Sequence, residues 1–328
     1  LLNRSDLSRR DLRAIVAALA KISGDSKNEF SPDQTLLDLA LDDSKPVGLR
    51  AMALQNVNVD HKGLRVNVLA SLARSKRSLI RREAVRALAL HSDPAKAPIL
   101  AKFAANASLD PDIRADAIAG LAEVAERQSE LLESLAADPN VTVSEEAKRT
   151  LASSGLSKRK LAAKPPAVDM TSWKLLVDEA KGQADPNVGR RLFFHARLGG
   201  CYKCHALNGR GQQVGPDLTT IHNQSGITRD WLLEHVVNPN AEMAPYYRPQ
   251  QLLTYDGDIL TGLVIGKEGK NQAYVGTDGS VFFVDKDDDE ARREITTSIK
   301  HERLLDPMSA EQIRDQLEYF LQPGKLSR

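Results

Sequence analysis

From residue 44 to 152 one pattern of apolar and small residues recurs, and nothing else in the chain restricts its fold as much. Leu49-Arg50 leads to Ala53 and Leu54. Ile80-Arg81 leads to Ala84, Val85 and Leu88. Ile113-Arg114 leads to Ala117, Ile118 and Leu121. Val143 leads to Ala147 and Leu151. The starts are 31, 33 and 30 residues apart. Asp110-Pro111 and Asp138-Pro139 precede two of them, which predicts an Asp cap with Pro in the first helical turn. Each unit reads as two short helices whose small Ala residues let neighbours approach. One unit cannot bury its own apolar face, so units must stack into an α-solenoid. The rival reading is a helical bundle with accidental spacing.

The repeat resembles HEAT units, with a period shorter than theirs. It predicts a HEAT-like helical domain over residues 1–155. The array offers no cluster of ligands or nucleophiles, and its two histidines, His61 and His91, read as surface residues. Small and basic residues with Pro165-Pro166 then mark a linker over 156–172. The 328 residues allow two or three domains, and 41% hydrophobic with 27% charged residues describes a globular chain. No run approaches eighteen apolar residues, so no membrane span is expected. A formal charge of +1 argues against a nucleic-acid binder driven by bulk charge. That charge is split: residues 1–164 carry a net +5 and residues 165–328 a net −4, so the halves are expected to dock on each other or on separate partners. The sequence starts at Leu1-Leu2 without Met or leader, as expected of a processed protein or a piece of a longer one.

Function is expected beyond the linker, in residues 173–328. The only two cysteines form Cys201-Tyr202-Lys203-Cys204-His205, which excludes a four-thiolate zinc site and a disulfide scaffold within one chain. C-x-x-C-H is the attachment pattern of c-type haem. Two thiols on one turn add to the two vinyl groups of the porphyrin, and the adjacent His projects its imidazole to the iron as proximal ligand. A thioredoxin-like dithiol, a zinc site and two structural cysteines are the rivals. The first usually follows a strand, whereas Val188–Leu198 reads as an amphipathic helix. The second needs a distant His as fourth ligand. The third does not require His205. Helices are also predicted over Thr228–Val237 and Ser309–Leu321. Phe193 and Phe194 are placed to pack on Tyr319 and Phe320. The runs QLLTY, ILTGLVI, QAYV and VFFV, with Asp256-Gly257 and Asp278-Gly279 as hairpin turns, predict a small antiparallel insertion of three or four strands at about 250–298. The acidic run Asp287–Glu290 reads as a solvated loop.

These pieces together carry a resemblance. GRRLFF (189–194), CYKCH, VGPDLTTI (214–221), VVNPNAEMAPYY (236–247), DGDILTGLV (256–264) and LLDPMSAEQIRDQLEYFL (304–321) resemble the haem-binding c-type domain of planctomycete and verrucomicrobial proteins, often fused to HEAT-like repeats and a propeller-type dehydrogenase region. The implied fold is mainly α: a HEAT-like solenoid followed by a class I-like cytochrome c helical domain with a β insertion. In class I cytochromes c a similar Gly-Pro-x-Leu turn offers its Pro carbonyl to the proximal His, here Pro216 to His205. The implied cofactor is one covalently bound haem c, and the implied function is passing single electrons from a dehydrogenase to a respiratory acceptor. The chain would be a carrier rather than a catalyst, in the periplasm or an equivalent compartment, with the repeats as docking scaffold and a homodimer as one arrangement.

One position departs from the family. Its members carry Ser-(Leu/Ile)-Met-Pro before the last helix, with that Met as distal ligand, whereas this chain has Ser298-Ile299-Lys300-His301. His301 ranks first as distal ligand because neutral imidazole needs almost no deprotonation at pH 7. Lys300 ranks second; losing its proton costs about 4–5 kcal/mol. Met243 ranks third, and Met308 aligns with a core position. An open sixth position would instead suit a haem sensor or a peroxidase-like enzyme. Nitrogen ligands on both faces predict a lower potential than a His/Met pair. Arg210, Trp231, Tyr246, Tyr247 and Arg248 are candidate donors to haem propionates. His195, His222 and His235 read as surface or helix-face residues.

Overall fold

The computed structural model describes residues 11–12, 14–16, 18–19, 32–156, 161–276, 280–285, 288–300 and 303–322. They form helices throughout and one small antiparallel sheet.

The first part is a succession of helix pairs: α1 (Pro32–Leu41) with α2 (Val47–Asn56), α3 (Val66–Leu72) with α4 (Ser78–Leu90), α5 (Lys96–Ala105) with α6 (Pro111–Ala119), and α7 (Ser129–Ala136) with α8 (Val141–Ser153). A 3₁₀ turn over Ala122–Gln128 precedes α7. The second helix of each pair also packs on the second helix of the next. All four repeat starts lie at the beginnings of these second helices, and Leu49, Ile80, Ile113 and Val143 are buried. Ala53, Ala84, Ala117 and Ala147 are wholly buried, so a larger side chain at any of them would push adjacent helices apart.

The Arg after two of these starts has a structural task. Arg50 Nε donates to Ala40 O at 3.2 Å, and Arg114 Nε donates to Ala104 O at 2.9 Å. Both carbonyls lie near the end of the preceding helix, where backbone acceptors lack intrahelical partners. Asp110 caps α6 by accepting from Asp112 N, with Pro111 as first residue. The second Asp-Pro pair acts differently from expectation. Asn140 caps α8, accepting from Thr142 N at 3.0 Å, while Asp138 receives Arg114 Nη2 at 2.6 Å. His91 also departs from expectation: it is buried, and its Nδ1 accepts from Asp93 N at 3.0 Å.

A second core follows residue 170. It is built by α9 (Met170–Asp178), α10 (Pro186–Phe193), α11 (Arg229–Val237) and α12 (Ala310–Leu321). The helix expected over 188–198 therefore ends at Phe193. Helices α10 and α12 cross closely at Gly189, where a Cβ would lie 2.0 Å from Asp315 O. Phe193 fills the crossing, its ring 6.1 Å from Tyr319 and 5.9 Å from Phe320, while Phe194 turns to Tyr202 at 6.0 Å.

The insertion holds five strands, one or two more than expected: β1 (Gln250–Thr254), β2 (Ile259–Glu268), β3 (Asn271–Gly276), β4 (Val281–Asp285) and β5 (Asp289–Glu294), in the order β4-β3-β2-β1-β5 and antiparallel throughout. Strand β5 is the surprise, because part of the acidic run read as a loop pairs with β1; Arg293 Nε donates to Gln251 Oε1 at 2.9 Å across that pair. Leu252, Tyr274 and Val284 form the sheet's own small core. The Asp256-Gly257 hairpin turn is present; Asp278-Gly279 lies outside the described residues. No helix among the described residues is long and apolar enough to cross a membrane.

The two helical parts meet through buried charge, with the opposite sense to the net charges. The net-positive first part contributes carboxylates and the net-negative second part contributes guanidiniums. Arg191 Nε meets Glu146 Oε2 at 2.8 Å and its Nη1 meets Asp112 Oδ1 at 3.0 Å. Arg190 pairs with Asp116, and Arg210 Nη2 lies 3.1 Å from Glu83 Oε2. Arg197 Nη2 donates to Glu126 Oε2 at 3.0 Å nearer the edge.

Candidate functional site

The Cys201–Lys203 segment is a single 3₁₀ turn between α10 and the loop that carries Pro216. Cys204 N and His205 N both donate to Cys201 O, at 3.1 and 2.8 Å. This winding folds Cys204 and His205 back toward Cys201. Both cysteines are half-buried free thiols. Burial pushes the Cys201 thiol up to about 11 and raises Cys204 as well. A redox-active C-x-x-C pair has the opposite tendency, toward thiolate.

His205 is held from two sides. Its Nδ1 lies 2.8 Å from Pro216 O, so Nδ1–H donates and the Nε2 lone pair is left for a ligand. Gly215 makes room for the ring: a Cβ there would lie 2.6 Å from His205 Cε1 and 2.9 Å from Nδ1. Two backbone bonds fasten the loop, from Gly215 N to Cys204 O at 2.7 Å and from Leu218 N to Ala206 O at 2.8 Å. Burial, with Lys300 nearby, holds the imidazole below its ordinary pKa and therefore neutral at pH 7.

Of the distal candidates among the described residues, Lys300 and Met308 lie near this group. Lys300 Nζ donates to His235 O at 2.6 Å. Burial pushes the amine down to about 8, against the pull of both thiols. His301 lies outside the described residues. Met243 is half-buried in the loop after α11, apart from the buried core. Met308 is wholly buried in that core beside Gly199 and Cys201.

The expected propionate donors scatter. Arg210 is buried against the first helical part, donating to Glu83 O at 3.0 Å, and has no freedom to meet a propionate. Trp231 stacks on His235 at 3.6 Å. Tyr246 is 92% exposed, Tyr247 is half-buried on the same 3₁₀ turn, and Arg248 is exposed with its Nη1 3.8 Å from Glu294. His222 is exposed and His235 half-buried. His195 corrects its sequence reading: it is wholly buried, and its Nδ1 accepts from Arg197 N and Leu198 N, both at 3.1 Å. Gly215 was missed, although its place before the Pro that faces His205 was a usable signal. Arg190 and Arg191 were also missed as joint residues, and two adjacent arginines in an amphipathic helix carry no such signal.

Scanned against models of protein families, the chain matches none, and a comparison with curated proteins finds no match either.

The donor chemistry fits a covalently attached haem. Among the described residues no three His, Cys, Asp or Glu side chains converge as they would on a bare metal ion. Cys201, Cys204 and His205 instead share one turn, where the two thiols would take a porphyrin edge and the oriented ring nitrogen its iron. Leu198, Ile221 and Met308 supply an apolar surround.

Proposed function

We propose that this protein is a monohaem c-type cytochrome that passes single electrons between a dehydrogenase and a respiratory acceptor outside the cytoplasm. In this reading residues 32–153 are a HEAT-like α-solenoid that serves as docking scaffold, and residues 170–322 are a class I-like cytochrome c domain with a β insertion. The observation that carries it is the 2.8 Å contact between His205 Nδ1 and Pro216 O on the turn that bears both thiols. Cys201 and Cys204 would hold the porphyrin by thioether bonds, and His205 Nε2 would be the proximal ligand. The haem supplies the one-electron couple when bound. Pro216 fixes the tautomer and rotation of the imidazole and raises its basicity as a ligand. Lys300 is the distal ligand this geometry favours, because its amine is already enclosed with the thiols and His205.

The test is expression in a host able to mature c-type cytochromes, followed by intact mass and a pyridine haemochrome spectrum. One haem is expected, and Cys201→Ala/Cys204→Ala should be colourless. A colourless wild-type chain with the mass of its amino acids alone sinks the reading. Carbon monoxide then separates carrier from sensor or peroxidase: the carrier, ligated on both faces, binds it slowly or not at all.

A further inference from the structure

The segment around the Cys201–His205 turn is gripped on both sides by the first helical part. Upstream, Arg197 Nη2 donates to Glu126 Oε2 at 3.0 Å and to Glu123 O at 3.2 Å, 71 and 74 residues back along the chain. His195 accepts at Nδ1 from Arg197 N and Leu198 N, and it is wholly buried, with Glu146 of α8 near enough to act on its charge. From there backbone bonds lead into the turn. Gly200 N donates to Leu198 O at 2.7 Å, and Lys203 N donates to Gly200 O at 3.0 Å.

Downstream, the buried Arg210 donates from Nη2 to Glu83 O at 3.0 Å and to Leu54 O at 3.4 Å. Gly209 lies directly against the end of α2, where a Cβ would fall 2.2 Å from Asn56 Oδ1. Asn56 is itself held, its Nδ2 donating to Met52 O at 2.8 Å. Two backbone bonds tie this stretch to the turn: Leu207 N donates to Arg210 O and Gln212 N to Tyr202 O, both at 2.8 Å. A functional side chain is only as well placed as the groups that support it. Here several of those supports belong to the other part of the molecule.

We infer that the first helical part is a brace for the Cys201–His205 turn, with Arg197 on Glu126 and Arg210 on the Leu54 and Glu83 carbonyls clamping the two ends of the segment 195–212. The bracing follows from these contacts alone; that the braced turn carries haem rests on the function proposed above. The brace also bears on docking. The surface of the repeats that receives Gly209 and Arg210 is already filled by the chain itself, so a partner of the repeats must use another face.

Hydrogen exchange on the full chain tests this, with or without haem. Glu126→Ala and Asn56→Ala alter only the first part, at side chains that are not fully buried. Each should speed exchange of the amides of 198–212 several-fold, while α12 keeps its wild-type rates. Glu133→Ala, at another exposed position of the same part, should change neither. Unchanged exchange in the loop, or equal acceleration in α12 or in Glu133→Ala, would overturn the brace. Should a variant not fold, the wild type in low urea decides: loop amides and the buried amides of α4 should open together, and a loop that opens well before the joint refutes the inference. Coupled opening in a chain that never takes up haem would leave the brace standing and remove only the haem.

Discussion

Lys300 occupies a position that few lysines tolerate, enclosed with two thiols and an imidazole and tied to a single carbonyl. A flexible four-carbon stem makes the arrangement possible, since the amine can leave His235 O without moving the backbone. If Lys300 ligates iron, Lys300→Met should raise the midpoint potential on the order of 0.1 V, a fraction of the ≈ 0.8 V that axial ligands span. A redox titration that finds no change would remove Lys300 from coordination. His195 makes a separate prediction. Burial pushes its imidazole down to about 4, with Glu146 opposing and Arg149 and Arg197 assisting. The unfolded chain therefore takes up a proton near pH 6.5 that the folded chain refuses until about pH 4. Stability should fall as pH drops through that window, by about 3 kcal/mol in all, and level off below it. Urea unfolding at pH 7 and pH 5 measures this, and His195→Asn, which keeps an acceptor near Nδ1, should flatten the dependence. At this scale the sequence was most readable where neighbours along the chain cooperate: Cys201, Cys204 and His205 lie on one turn, with Pro216 eleven residues on. It was least readable where partners lie far apart. Nothing near Arg210 announces Glu83, 127 residues away, and nothing near His195 announces the wall that buries it.

The helices were legible because period and burial coincide. The same apolar and Ala positions recur in all four second helices, and each falls on the packed face. The Arg50 and Arg114 bonds were hidden because an Arg in a helix usually faces water, whereas these reach back ten residues to a helix end. Arg114 joins two units, since Ala104 precedes it and Asp138 follows. Its hydrogen bond holds the Asp138 carboxyl below the usual range. Arg114→Ala strands a backbone acceptor and a carboxylate together, and should destabilise by about 2–4 kcal/mol in urea unfolding. Strand β5 was missed for a related reason. Its residues, Asp289–Glu294, are mostly charged and alternate poorly, and only pairing with β1 makes them a strand.

At the level of the whole molecule the joint decides whether the two helical parts behave as one body. Asp116 is central, contacting Arg86, Arg190 and Arg191. Burial alone would push its carboxyl up; the three guanidiniums pull it well below the usual range. Asp116→Asn leaves those guanidiniums facing one another and should cost about 3–5 kcal/mol. Scanning calorimetry of the wild type should show a single transition, and of Asp116→Asn two, as each part melts with its own core. The joint also redistributes what solvent sees. It conceals carboxylates of the half whose net charge is +5 and guanidiniums of the half whose net charge is −4. The second part buries three arginines, Arg190, Arg191 and Arg210, and one carboxylate, Asp315, so among the described residues it shows solvent a more acidic surface than its composition suggests. A basic partner would be steered toward that acidic surface before contact, at a rate that falls as salt screens the field.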